Sequence, residues 1–397
     1  MDGAWRNWSG SVVFRPREIA RPRHTEALAL LVAESAARGE PVRVVGAGHS
    51  SNEILASEGR LVSLEHFRTV HAVDREGCEA TVGAGAVLEE LGRTLYEHDL
   101  ALPNYGDVAT QTIGGAISTG THGTGPTQPN LSQMLLRVTL VDGQGRVRRI
   151  ERDDLDRLRA ARVALGTLGA FTTLTLKLVP AFDVERREYA TGTEAALAQL
   201  DALNAGNRSF DFYWYPRRDD VKLRLVNPIG GGTVPADARP LTRGEGYSHE
   251  VIPTHSGIPH HFEESEYALP AENGPACFRA IRSRVLQHWR HVVGWRVLYR
   301  TVAADDADLS PAHGRATATI SLHQNSTLPW RAFFEDIEPI FLDHGGRPHW
   351  AKKHTRRGAQ LAALYPRWAH FHRVRAEFDP DGTFLTPHMR ELLDVAA

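Results

Sequence analysis

Cysteine and lysine are scarce in this chain, and no long apolar run occurs. Cys78 and Cys277 are the only two cysteines among 397 residues, and they lie far apart. That excludes a Cys-x-x-Cys redox pair and a cysteine zinc site, and leaves room for one disulfide at most. No stretch approaches about eighteen consecutive apolar residues, so no membrane-spanning helix is expected. The opening "MDGAWRNWSG" lacks a basic stretch followed by an apolar one, so no secretory leader is read and a soluble, cytoplasmic protein is expected. Excess charge is missing too: Lys+Arg 46 stands against Asp+Glu 48. A nucleic-acid or anionic-membrane partner would call for a basic surplus.

What is present is enough for a folded globular chain. Hydrophobic residues make up 42% and charged residues 24%, within the range of globular chains with a sizeable core. The first half alternates short strands with helices. "HTEALALLVAESAARGE" reads as a helix capped by Thr25, with Leu28, Leu31 and Val32 on its apolar stripe and Gly39 at its end. "LLRVTLVDGQGRVRRIE" reads as a hairpin turning at Asp142-Gly143. After about residue 180 the strands become aromatic, as in "SFDFYWYP", and residues 227–261 read as one long Gly/Pro/His-rich loop.

Two glycine-rich stretches carry the chemistry. "VRVVGAGHSSNE" begins as a strand and a Gly46-Ala47-Gly48 turn, but His49, Ser50 and Ser51 stand where a nucleotide-binding helix would place its third glycine. A nicotinamide-type Rossmann site is therefore disfavoured. "GDVATQTIGGAISTGTHGTG" sets Gly106, Gly114, Gly115, Gly120, Gly123 and Gly125 among hydroxyl side chains. Glycine lets backbone approach a ligand closely, and successive free N–H groups form nests for phosphate oxygens. One such stretch alone reads better as a tight turn between strands. Two of this length and polarity favour an extended anionic ligand, such as a dinucleotide pyrophosphate.

These residues resemble the vanillyl-alcohol-oxidase type of flavoprotein, and more closely the aldonolactone oxidases and alditol (xylitol) oxidases. "VVGAGHSSNE" is similar to that family's pyrophosphate loop, and "TIGGAISTGTHGTG" to its second FAD segment. "ALGTLGAFTTLTLKLVP" resembles the strand closing its FAD domain. "YRTVAADDADLSPAHGR", "RPHWAKKH" and "FHRVRAEFDPDGTFLTP" resemble stretches of its substrate domain and C-terminal signature. The resemblance implies an α+β fold of two domains. The FAD-binding domain would take residues 1–180 and be rejoined by 355–397. Residues 181–354 would form a substrate domain, an antiparallel sheet covered by helices, with the active site at the junction.

The resemblance also implies roles. FAD would be held by Gly46, Ala47, Gly48, His49, Ser50 and Ser51, by Gly106, Thr110, Gly114, Gly115, Ser118, Gly120, Thr121, His122 and Gly123, and by Gly169. His49 would bond covalently to the flavin 8α-methyl. Arg300 and Lys352 would be catalytic: Arg300 as a fixed cation near the flavin N1–C2=O, Lys352 either orienting the substrate oxygen or, with a lowered pKa, accepting its proton. Leu298, His323 and His349 would face substrate. The family commonly has Glu at the Leu298 position, so Arg300 lacks its expected partner and the substrate is expected to differ. Alditol oxidases carry a histidine at the Ser321 position, and His323 shares that strand face and is read as its substitute. Lys353 and His354 read as polar surface. His249, His255, His260 and His261 crowd the long loop without metal-ligand spacing, so no metal is expected.

The expected function is oxidation of an alcohol on a sugar lactone, alditol or related polyhydroxy compound, with O2 as acceptor, by a monomer or small homo-oligomer. The alternatives are a tailoring oxidase acting on a specialised metabolite or glycoside, and a flavin-binding protein without turnover.

Overall fold

Repeated βα patterning gives way to long antiparallel strands in the computed structural model, which describes residues 3–254 and 260–396. Near the start, strands Glu18–Ala20, Arg60–Ser63 and Val42–Val45 form a three-stranded parallel sheet, in that order. The helix Thr25–Ala37 connects two of them and buries Leu28 and Val32. Its cap is His24 rather than the expected Thr25: the imidazole accepts the Ala27 N–H, and Thr25 is already helical. A five-stranded antiparallel sheet follows, ordered Val147–Ile150, Leu135–Val141, Ala170–Lys177, Glu79–Gly83 and Val70–Asp74. The expected hairpin is its edge, where the Asp142 carboxylate accepts the N–H groups of Gln144 and Arg146.

The second half builds one eight-stranded sheet, antiparallel throughout. Its order is Arg239–Tyr247, Asp183–Gly192, Asp220–Asn227, Ser209–Tyr215, Val297–Val302, Thr317–Asn325, Phe262–Pro270 and Arg347–Pro348. The reading of 227–261 as one loop is corrected here: Arg239–Tyr247 is the edge strand, paired with Asp183–Gly192. It is almost wholly exposed, so no alternation of apolar and polar residues marks it. Helices Gly274–Arg284 and Arg331–Asp343 cover one face of the sheet, burying Phe278, Ile281, Phe333 and Ile337 with Phe212, Tyr299 and Ile320.

Two apolar cores result. One gathers Leu28, Val62, Leu140 and Leu174 with Trp350, Phe371, Phe384 and Leu392; the other runs from Tyr189 to Phe341. The late segment enters the first core because the early strands need it: Val42 N–H donates to the Thr383 carbonyl, and buried Arg43 donates to the Phe384 carbonyl, 341 residues away. Both cysteines are free thiols. No helix among the described residues is long and apolar enough to cross a membrane.

Candidate active site

Between the two cores lies a large cavity. The strand Val42–Val45 delivers the Gly46–Ser51 loop to one wall. The N–H groups of Ala47, Gly48, His49 and Ser50 find no acceptor among the described residues, and all four residues line the cavity. The second glycine stretch lines the adjoining wall. Its middle is not loop, as the sequence suggested, but the short helix Ile113–Ser118. The two stretches touch at Gly46, where any Cβ would overlap the Thr112 hydroxyl.

His49 stands at the end of this cradle. Its Nε2 lies 2.9 Å from Thr110 Oγ1, and its ring is 5.3 Å from that of Trp8. Burial, with Lys352 and His261 adding to it, brings the imidazole pKa down to about 4, so His49 is neutral at physiological pH.

Strands of the eight-stranded sheet supply another wall. Arg300 donates through its guanidinium to Asp107 and, over 3.4 Å, to Asp211. Arg224 bonds the same two carboxylates, at 3.2 Å and 2.5 Å, and Tyr213 donates its hydroxyl to Asp107 at 2.7 Å. Burial opposes the Arg300 charge, but Asp107 and Asp211 hold its pKa above the ordinary value. This answers what replaces a carboxylate at position 298: Arg300 takes acids from a neighbouring strand and from the glycine stretch. Leu298 itself is a buried apolar patch of the cavity wall.

A second network runs across Phe262–Pro270. Residues 298, 321 and 266 are direct neighbours on three adjacent strands. Ser321 donates to Glu266, and His122 Nε2 lies 2.8 Å from the other Glu266 oxygen. His122 Nδ1 faces the Gly123 carbonyl at 2.8 Å, so it must carry hydrogen. One proton therefore lies between His122 and Glu266, and burial of Glu266 is outweighed by His122, which holds the carboxyl well below its usual range. Lys352 pairs with Glu264. Burial would discharge the lysine, but Glu264 and Glu266 raise its pKa, so it is an ammonium and the alternative of a lowered pKa is set aside. His349 Nδ1 accepts the Ala351 N–H at 3.2 Å, which leaves hydrogen on Nε2. His122, Glu266 and His349 bring nitrogen or carboxylate atoms within 4.8 Å of one another, with His122 and Glu266 hydrogen-bonded to each other and His349 Nδ1 to the Ala351 N–H. In the loop expected to hold idle histidines, His249 packs against Tyr96 and Tyr247, while His255 lies outside the described residues.

Comparison with known proteins sets this geometry in a lineage. A family model for D-arabinono-1,4-lactone oxidase matches residues 246–392, and one for an FAD binding domain matches residues 16–151. The L-gulono-1,4-lactone dehydrogenase of Mycobacterium tuberculosis is 33% identical over 99% of this chain and 100% of its own length. The alditol oxidase of a Streptomyces species is 32% identical over 99% of this chain and 100% of its own. The chain belongs to the aldonolactone and alditol oxidase family of FAD-linked oxidoreductases. Its fold is that of the vanillyl-alcohol-oxidase type. Cholesterol oxidase of Brevibacterium sterolicum superposes with a TM-score of 0.84 over 98% of this chain and 96% of that one, at 16% identity. Chitooligosaccharide oxidase gives 0.81 over 97% and 93%, at 15% identity. Such distant likeness speaks for the fold alone.

In this family member nearly every residue singled out from sequence reaches the one cavity: Gly46 to Ser51, Gly106, Gly114, Gly115, Ser118, Thr121, His122, Gly169, Leu298, Arg300, His323, His349 and Lys352. Thr110 stands behind His49, while Gly120 and Gly123 shape the backbone without lining the space. Two expectations of polar surface fail. Lys353 is mostly covered and pairs with Glu263 at 3.3 Å, and His354 is sunk far enough for burial to bring its pKa down to about 3. Sequence reasoning missed Asp107, Asp211, Arg224, Glu264 and Glu266 as site residues. The signal was faint: "FEESEYALP" reads as a charged surface strand, yet Glu263, Glu264 and Glu266 are all buried. Several acids in one strand with apolar flanks are worth weighing as a buried network.

The cavity suits FAD. It offers four unpartnered N–H groups to a pyrophosphate, a close-packed glycine contact that keeps side chains out of the way, and a neutral imidazole at the end of the cradle.

Proposed function

We propose that this protein oxidises an alcohol carbon of a sugar lactone, alditol or related polyhydroxy compound, with FAD as the immediate acceptor and O2 as the final one. Bound FAD supplies a two-electron acceptor at N5. The chain's own residues do the rest. The Gly46–Ser51 loop and the 106–123 stretch hold the cofactor. His49, uncharged and with Nε2 engaged by Thr110, offers Nδ1 for the covalent tether. Arg300, fixed by Asp107 and Asp211, provides the positive field toward which negative charge develops. Lys352, fixed by Glu264, donates hydrogen bonds to substrate oxygen, and so does His349 through Nε2. The cavity pairs its charges internally, which suits a neutral, hydroxyl-rich substrate over an ionic one.

The observation that carries this reading is the meeting of the glycine cradle with Arg300 and Lys352 in a single cavity. Its test is anaerobic mixing of purified protein with sugar lactones and alditols. Bleaching of a yellow flavin, followed by peroxide on admitting air, is the expected result; a colourless protein, or one bleached by none of them, would sink it. Leu298 supports a second reading, a tailoring oxidase whose substrate presents an apolar face or glycoside at that wall. Faster bleaching by glycosides than by xylitol or free lactones would favour it.

A further inference from the structure

Toward the eight-stranded sheet, charges of the cavity hold one another: Arg300 with Asp107 and Asp211, Lys352 with Glu264. On the side of the glycine cradle one charge is not held this way. Arg43 stands on the strand that leads into Gly46, lines the cavity and is 2% exposed. Its guanidinium donates to three carbonyls, Leu165 at 2.8 Å, Phe384 at 3.1 Å and Gly166 at 3.2 Å, and its Nε has no partner among the described residues. It pairs with no carboxylate among those residues. Asp379, whose oxygens take the Thr383 and Phe384 N–H groups, acts on it only through space. Burial brings the Arg43 pKa down to about 10, so the group keeps its charge at neutral pH. A buried charge is costly unless an opposite one answers it.

The backbone around Arg43 keeps it at the cavity wall. Leu165 and Gly166, whose carbonyls it meets, both line the cavity, and a Cβ on Gly166 would sit 3.6 Å from Nη2. Leu165 holds φ at +54°, a left-handed conformation uncommon for leucine. Its N–H donates to the Ser118 carbonyl, which ends the helix Ile113–Ser118 of the second glycine stretch. The charge is thus clamped between the two segments that wall the cofactor space. We propose that Arg43 is a cofactor-binding residue whose charge answers the diphosphate of FAD and so favours the dinucleotide over riboflavin. This rests on FAD as the cofactor. The four N–H groups from Ala47 to Ser50 offer the diphosphate dipoles but no full charge. Arg43 supplies the full charge from behind the cradle. Coulomb attraction through a low-dielectric wall needs no contact.

Titration of the flavin-free full chain tests this, in a His49→Ala background so that flavin can be removed and restored. Calorimetry with FAD, ADP and riboflavin reads the diphosphate apart from the ring. In Arg43→Gln, FAD and ADP should bind about 10-fold more weakly or worse, and riboflavin as before. Arg43→Lys keeps the charge and should recover most of the ADP affinity. Equal weakening of FAD and riboflavin would make Arg43 a purely structural residue and overturn the inference, as would an unchanged affinity for ADP. Nitrogen NMR covers the case in which the glutamine variant does not fold. The Arg43 guanidinium signal, identified by its loss in Arg43→Lys, should move on adding ADP and stay in place with riboflavin; no movement with ADP would overturn the inference. A chain that binds neither FAD nor ADP, whatever stands at position 43, would defeat the cofactor reading and this inference with it.

Discussion

At the scale of single residues, the site is a set of charges each tied to a named partner, and removing one exposes the other. Arg300→Ala strips one arginine from Asp107 and Asp211. Breaking a buried pair typically costs about 3–5 kcal/mol. Arg224 remains on both acids, so a loss nearer ~2 kcal/mol in urea unfolding is expected, with flavin reduction slowed about 10²–10³-fold. Equal reduction rates in the variant would remove Arg300 from the chemistry. His49→Ala should release its flavin into the supernatant on acid precipitation, where the wild type keeps its colour in the pellet. Colour lost equally from both would end the covalent proposal. His49, Arg300 and Lys352 could be picked out from sequence because each sits in a local pattern. Asp211 and Glu264 could not, because what makes them site residues is a partner far off in sequence, Arg300 at 89 positions and Lys352 at 88.

At the scale of elements, close backbone approach decides which substitutions are tolerated. Gly169 has φ +148°, and a Cβ there would strike the Val141 carbonyl where Ala170–Lys177 enters its sheet. Gly169→Ala is expected to cost about 1–3 kcal/mol through backbone strain, read as a lowered melting temperature. Gly46→Ala acts differently. Its Cβ would push Thr112 away and part the two halves of the cradle, so weaker flavin retention is expected with a smaller change in apoprotein stability. Unaltered flavin content in Gly46→Ala would count against the cradle. Strands and helices with clear periodicity, such as Thr25–Ala37 and Leu135–Val141, were legible in the sequence. The exposed edge Arg239–Tyr247 and the acid-rich Phe262–Pro270 were not. One has no buried face and the other buries nearly everything, so neither alternates.

At the scale of the whole molecule, acid is the expected weakness. His49, His323 and His349 are brought to about 4 and His354 to about 3 in the folded protein, against about 6.5 in an unfolded chain. Below that value the unfolded chain binds protons that the folded one refuses, so stability is complete above about pH 6.5 and drains away toward pH 4. Asp305, raised to about 6 by burial, acts the other way, as does Asp379, which burial also raises. A melting temperature that stays level from pH 7 to 4 would contradict this balance. The stitching of Val42 and Arg43 to Thr383 and Phe384 has a further consequence, for synthesis. A ribosome makes the glycine cradle early, but the strand that carries it gains its last partners only when residues 383 and 384 have cleared the exit tunnel. Cofactor capture thus becomes a late event in the life of the nascent polypeptide, and translation arrested short of residue 383 should yield chains that never turn yellow.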